Sequence, residues 1–307
     1  MTTQNIAIGA DIGGSHITCR LIDPEHKTIV GDIIVRRHVD SQASKDEILS
    51  AWCEAIVELK GDMKWDNIKG IGFAMPGPFD YPNGIGQFEG VPKFHSLNGV
   101  NVRNEIIRRL GLPDGFPVRF MNDAACFAIG ESFFGQVSAH NRFLAITLGT
   151  GFGTTFIKEH RPVAGEDGLT EDGFLWYVKL GDGMADDHFS TRWFVNTYKN
   201  LTGIDVPGVK ELSDKYASEP IIQQMFSEFG NKLGSFLAPW LKAFGAEAVV
   251  IGGNISGAYA FFKEDLDNSL LDGGANVRIY ISELQENAAL CGSAVLSDND
   301  FYHLLIK

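Results

Sequence analysis

The apolar and polar positions of this chain alternate in blocks that predict its elements. An apolar run over residues 8–10 leads into Asp11, and after Ile12-Gly13-Gly14-Ser15-His16 a second apolar run covers residues 17–22. Two such runs joined by a short polar link predict a β-hairpin, and residues 28–36 read as a third strand. Ser44-Lys45-Asp46-Glu47 has the spacing of a capping box, in which the serine accepts from the helix start and the glutamate reaches back. Ile48, Trp52, Ala55, Ile56 and Leu59 then recur at helical spacing and make one apolar face, which Gly61 and Asp62 end. Residues 68–74 predict a buried strand that stops at Met75-Pro76-Gly77-Pro78, because proline cannot extend a ladder. The order is three strands, a helix and a strand.

Residues 79–101 are rich in Gly, Pro, Asn and aromatics and show no period. A loop of this length with such residues is expected to be an ordered binding loop. Asn101 is placed to cap a short helix around residues 105–110, residues 117–121 predict the next strand, and Asn122-Asp123 open a helix running through Gly130. Residues 144–157 then repeat the opening plan of strand, glycine-rich turn and strand, so that Ala10-Asp11-Ile12-Gly13 falls on Ile146-Thr147-Leu148-Gly149. Pro220 opens a long helix with an apolar stripe from Ile222 to Leu241; Pro239 inside it is expected to kink it, and Gly245 stops it. Residues 248–251 predict a buried strand ending in Gly252-Gly253-Asn254, and residues 288–296 a final helix of small residues.

The two glycine turns carry candidate chemistry. Glycine permits positive φ and close approach of a ligand to the backbone, and the exposed amides of such a turn form a nest for anionic oxygens. Asp11, at a strand end, is placed to hold magnesium through water. Each turn alone also reads as an ordinary hairpin. Asn122-Asp123 reads either as a helix cap or as a pair reaching into a cleft between domains. Asp186, Asp187 and His188 are adjacent, which suits a helix start with aspartate caps better than three ligands of one metal.

Composition narrows the class. At 307 residues and 44% apolar residues the chain is long enough for two domains and too apolar for disorder. No apolar run approaches the roughly 20 residues of a membrane span, and Met1 to Asn5 lead directly into a strand without the features of a signal peptide. A net charge of −13 argues against nucleic acid as a main partner. Cys19, Cys53, Cys126 and Cys291 are scattered, which indicates neither a disulfide framework nor a zinc knuckle. The expected compartment is the cytoplasm.

Taken in order, Asp11-x-Gly13-Gly14, Pro76-Gly77-Pro78, Asn122-Asp123-Ala124 with Gly130-Glu131, Leu148-Gly149-Thr150-Gly151 and Gly252-Gly253 resemble the ROK family (repressor, open reading frame, kinase) of sugar kinases and sugar-responsive repressors, within the actin, hexokinase and Hsp70 superfamily. The resemblance covers nearly the whole chain. It implies an α/β, two-domain actin-like (ribonuclease H-like) ATPase fold with duplicated halves, a first domain of residues 1–120 plus 289–307 and a second of residues 121–288. It implies ATP-dependent phosphorylation of a sugar hydroxyl, with ATP and magnesium bound between halves that close over the sugar. Asp123 would be the catalytic base. Asn122, Pro76, Gly77 and one of Glu166 or Glu171 would contact the sugar. Asp11, Gly13, Gly14, Ser15, His16, Thr147, Gly149, Thr150, Gly151, Gly252, Gly253 and Asn254 would bind nucleotide, with Asp11 on the metal side.

The chain departs from the family in two places. Where ROK kinases carry Glu-x-Gly-His, the candidate steps here are Glu166-Asp167-Gly168-Leu169 and Glu171-Asp172-Gly173-Phe174, both without the histidine. The cysteine-rich zinc motif is also absent, so no structural zinc is expected. The alternative reading is a catalytically silent sensor that binds sugar or nucleotide; too few residues precede the first strand for a DNA-binding domain. A homodimer is the family expectation.

Overall fold

A computed structural model describes residues 5–306; Met1 to Gln4, read above as part of the lead-in to the first strand, lie outside them, as does Lys307. The chain divides into two compact units, Met1–Gly135 with Glu286–Lys307, and Gln136–Gln285.

The first unit is built on a five-stranded sheet in the order Thr28–His38, His16–Asp23, Ile6–Ile12, Ile68–Met75, Val118–Asn122. The first three strands pair antiparallel and the last two join in parallel. Antiparallel neighbours need only a turn, whereas each parallel step needs a crossover. Helices Lys45–Lys60 and Val102–Leu110 lie in those crossovers. The Ser44 capping box forms, with Ser44 N donating to Glu47 Oε2 at 3.0 Å, and a cap of this kind contributes about 1 kcal/mol. Its apolar face is buried as the spacing predicted: Ile48, Trp52, Ala55, Ile56 and Leu59 are all inside.

The second unit has a five-stranded sheet in the order Arg161–Val163, Phe152–Lys158, Arg142–Leu148, Ala248–Gly252, Arg278–Ile281. Strand for strand, the order and directions match those of the first sheet, again with three antiparallel strands and two added in parallel. Helix Pro220–Phe244 runs on through Pro239 and buries its stripe of Ile222, Met225, Phe226, Phe229, Leu233 and Leu237.

The closing helix Asn287–Val295 belongs to the first unit, and glycines explain how closely it packs. A Cβ at Gly72 would stand 1.7 Å from Ser293 O, one at Gly9 2.0 Å from Leu290 O, and one at Gly292 1.8 Å from Cys126 O in helix Asp123–Phe134. Backbone meets backbone at all three places, so no side chain larger than hydrogen fits.

Candidate active site

In the first unit, three neighbouring parallel strands end level with one another. Asp11 pairs with Ala74, and Met75 pairs with Asn122. Register alone therefore brings Asp11, Pro76-Gly77 and Asn122-Asp123 to the carboxyl edge of one sheet, where open α/β sheets bind ligands.

The double reading of Asn122-Asp123 resolves into a division of labour. Asn122 is the cap: its Oδ1 accepts from Ala125 N at 3.2 Å, while its Nδ2 donates to the Tyr81 hydroxyl at 3.4 Å. Tyr81 in turn donates to Met75 O at 3.1 Å. Asp123, relieved of capping, sits at the first helical position and accepts from local backbone, Ala124 N at 2.9 Å among it, and from the Asn122 side chain. Burial raises its pKa, opposed by those backbone N–H groups, by Asn122 and by the Lys93 ammonium. The surface of Asp123 is nonetheless exposed, so a substrate can reach the carboxylate.

Asp11 is half-buried, and its carboxylate makes no hydrogen bond or ion pair among the described residues. Burial first, then the Asp123 and Glu286 carboxylates, push its pKa up to about 7 against the opposing pull of Arg36. It lies in a small polar depression of about 130 Å³ with Ser15, Thr18, Arg36 and Glu286. A carboxylate short of counter-charge in a polar niche suits a hard cation. Ser15 Oγ and His16 Nδ1 lie 2.9 Å apart and satisfy each other.

The turn glycines differ from expectation in one respect. Neither Gly13, Gly14, Gly149 nor Gly151 has positive φ. At Gly14 a Cβ would lie 2.7 Å from Nζ of the flexible Lys93 side chain, which places that ammonium beside the turn. Lys93 carries no periodic or motif signal, so the sequence did not mark it.

The second unit presents its own turns at the corresponding edge. Gly252 pairs with Thr147, which sets Gly252-Gly253-Asn254 beside Gly149-Thr150-Gly151. Gly253 has φ 82°, and a Cβ on it would stand 2.4 Å from Leu148 O, so this position needs glycine for both reasons. Phe152 N donates to Asp186 Oδ1 at 2.7 Å, and Arg192 pairs with the other oxygen of that carboxylate. Thr191 closes the turn from N and Oγ1 onto Gly149 O. Of the two aspartates read as caps, Asp187 accepts from Met184 N at 2.9 Å at the helix start, whereas Asp186 clamps the glycine turn. His188 Nε2 lies 3.0 Å from Leu180 O.

The two glutamates are placed differently. Glu166 pairs with Lys158 at 3.6 Å. Lys158 ends the strand that Phe152 begins, so this pair lies roughly 20 Å of extended chain from the glycine turn. Glu171 makes no ion pair among the described residues. It precedes a segment tied to the turn end of that same strand, where Leu175 N donates to Thr154 Oγ1 at 2.9 Å. No group of three or more His, Cys, Asp or Glu among the described residues is arranged to hold a metal, and the four cysteines are free and buried.

A family model described as ROK family matches residues 7–176. The chain belongs to the ROK family. Across 94% of this ROK chain and 95% of the relative, it is 24% identical to a glucokinase of Thermotoga maritima. It is 23% identical to an N-acetyl-D-glucosamine kinase of Haemophilus influenzae, over 85% and 88% of the two chains. A ROK family glucokinase from Streptomyces griseus, solved with glucose and AMPPNP, superposes with a TM-score of 0.74 at 22% identity, covering 95% of this chain and 99% of that one. The fold of this ROK protein is accordingly the actin-like two-domain α/β fold, with the duplicated halves seen in its two sheets. No helix among its described residues is long and apolar enough to cross a membrane.

Proposed function

We propose that this protein is an ATP-dependent sugar kinase that transfers the γ-phosphate to a hydroxyl of a hexose or amino sugar. The observation that carries the reading is the pairing at Asn122-Asp123. Capping is done by Asn122, which leaves at the strand edge an exposed aspartate, free of that task, that a substrate hydroxyl can reach. The full-length likeness to enzymes named glucokinase and N-acetyl-D-glucosamine kinase supports the substrate class.

In this reading Asp123 accepts the proton of the attacking hydroxyl. Asn122, its amide oriented by Tyr81, contacts the sugar together with Pro76, Gly77 and Glu171, the glutamate that its freedom from ion pairing favours over Glu166. The glycine turns of both units offer backbone N–H groups to phosphate oxygens. Asp11 would hold magnesium, and its elevated pKa and the lack of a hydrogen-bond partner for its carboxylate are what a cation would relieve. Magnesium, when bound, offsets the negative charge on the phosphoryl oxygens. Leu169 or Phe174 would stand where the family has a histidine, and neither can hydrogen-bond a sugar hydroxyl from its side chain, so discrimination at that hydroxyl should be weaker than in glucokinases.

The test is coupled ADP release over a panel of hexoses, amino sugars and N-acetylated sugars. Sugar-dependent ADP release supports the reading. Sugar binding without ADP release from any member of the panel favours the silent sensor.

A further inference from the structure

Lys93 is held in place from both sides. Gln42 Nε2 donates to Pro92 O, and Phe94 N donates to Ser41 O at 2.8 Å. Phe94 is fully buried at a positive φ of 59°, with its ring 5.7 Å from those of Trp52 and Phe88. A phenylalanine in this backbone region is uncommon and costs energy unless its surroundings enforce it. Here the ring is driven inward while the preceding residue, Lys93, remains exposed.

The segment that anchors Lys93 also anchors the first glycine turn. Val39 N donates to Ser15 O at 2.8 Å, and Ser41 and Gln42 follow directly to hold Phe94 and Pro92. Residues 39–42 thus form a bracket between the turn and the lysine. The result is an ammonium beside Gly14, within 2.7 Å of where a Cβ would stand. Lys93 makes no hydrogen bond or ion pair among the described residues. Its charge nevertheless acts on Asp123. An exposed ammonium thus stands beside Gly14 and its charge bears on Asp123, the two places that the kinase reading gives to the phosphate and to the base.

We infer that Lys93 is a catalytic cation that contacts the transferring phosphoryl group. This rests on the kinase reading above. In the step, the sugar hydroxyl gives its proton to Asp123 and its oxygen forms a bond to the γ-phosphorus. The bond from that phosphorus to the bridging oxygen breaks, with its electron pair leaving on ADP. Lys93 keeps its proton throughout and donates hydrogen bonds to the phosphoryl oxygens, whose charge is more favourably held in the transition state than in free ATP.

The experiment compares the wild type with Lys93→Ala and Lys93→Arg, all with unchanged unfolding midpoints because the side chain is exposed. On a sugar that the wild type phosphorylates, Lys93→Ala should lower kcat about 10²–10³-fold and leave the sugar KM within about threefold. Lys93→Arg should recover at least about tenfold of that loss, since the charge returns in a different shape. Calorimetry supplies a readout independent of turnover. The wild type should bind AMPPNP more tightly than ADP, and Lys93→Ala should abolish that difference while leaving ADP affinity unchanged. A kcat within threefold of wild type, or a loss confined to the sugar KM, overturns the assignment. If the wild type turns over no sugar, the kinase reading fails, and the calorimetry decides Lys93 by itself: an AMPPNP preference that survives Lys93→Ala overturns it.

Discussion

A carboxylate kept for a cation should destabilise the protein when the cation is missing, and Asp11 gives that cost a size and a pH range. Its folded pKa is about 7 against an ordinary 3.8. The folded state therefore binds a proton more tightly than the unfolded state, so stability is lost as pH rises from about 4 to about 7 and stays low above that. At 1.36 kcal/mol per tenfold, the full gap corresponds to about 4 kcal/mol. Solvent screening of this half-buried group reduces the expected cost to roughly 2–4 kcal/mol. Asp11→Asn removes the charge, keeps the shape and breaks no side-chain hydrogen bond of the described residues. In chelator at about pH 8 the variant should exceed wild type by that amount, or roughly 5–15 °C in unfolding midpoint for a unit of this size. At about pH 5 the advantage should shrink to about 1–1.5 kcal/mol. Magnesium with nucleotide should stabilise the wild type and leave the variant nearly unmoved. An Asp11→Asn protein no more stable than wild type at about pH 8, or an advantage that does not change with pH, would refute the reasoning.

Asp123→Asn should abolish sugar-dependent ADP release while sugar and nucleotide affinities stay within about tenfold, because shape is kept and the base is lost; near wild-type turnover would remove Asp123 from that role. Gly292→Ala places a Cβ 1.8 Å from Cys126 O and should cost about 3 kcal/mol or more, read as a fall in denaturation midpoint. Gly257→Ala, which meets nothing within 4 Å, should stay within about 0.5 kcal/mol. Asp186→Ala frees the Phe152 N–H that the carboxylate holds at 2.7 Å; faster exchange of that amide and about tenfold weaker nucleotide binding are expected, as for the loss of a charge-assisted bond.

What the sequence revealed was mostly local. The Ser44 box, the face from Ile48 to Leu59 and the two glycine hairpins each lie within a short window, and each formed as read. Asn122 and Asp123 were found, but their separate tasks depend on Tyr81 and Ala125, and nothing in the residue types says which of two adjacent polar side chains turns inward. The role of Asp186 was missed because its partner, Phe152, is 34 residues away. Lys93 was missed for a similar reason: its position comes from a bracket formed by residues 39–42, and a loop lysine has no period to betray it. Strand Arg278–Ile281 also escaped notice, being four residues long and nowhere fully buried.

The closing helix has a consequence for the order in which the molecule is made. Its backbone completes the packing of Gly9 and Gly72, residues translated some 200 or more positions earlier. The ribosome therefore delivers all of Gln136–Gln285, a self-contained unit, before the last piece of the first unit leaves the exit tunnel. Chains usually fold from the amino end as domains emerge, and here that sequence is reversed. The unit begun first is finished last, and until Asn287–Val295 arrives, the sheet that carries Asp11 has an uncovered face. Released chains that end after Gln285 should hold a folded second unit and an open first one.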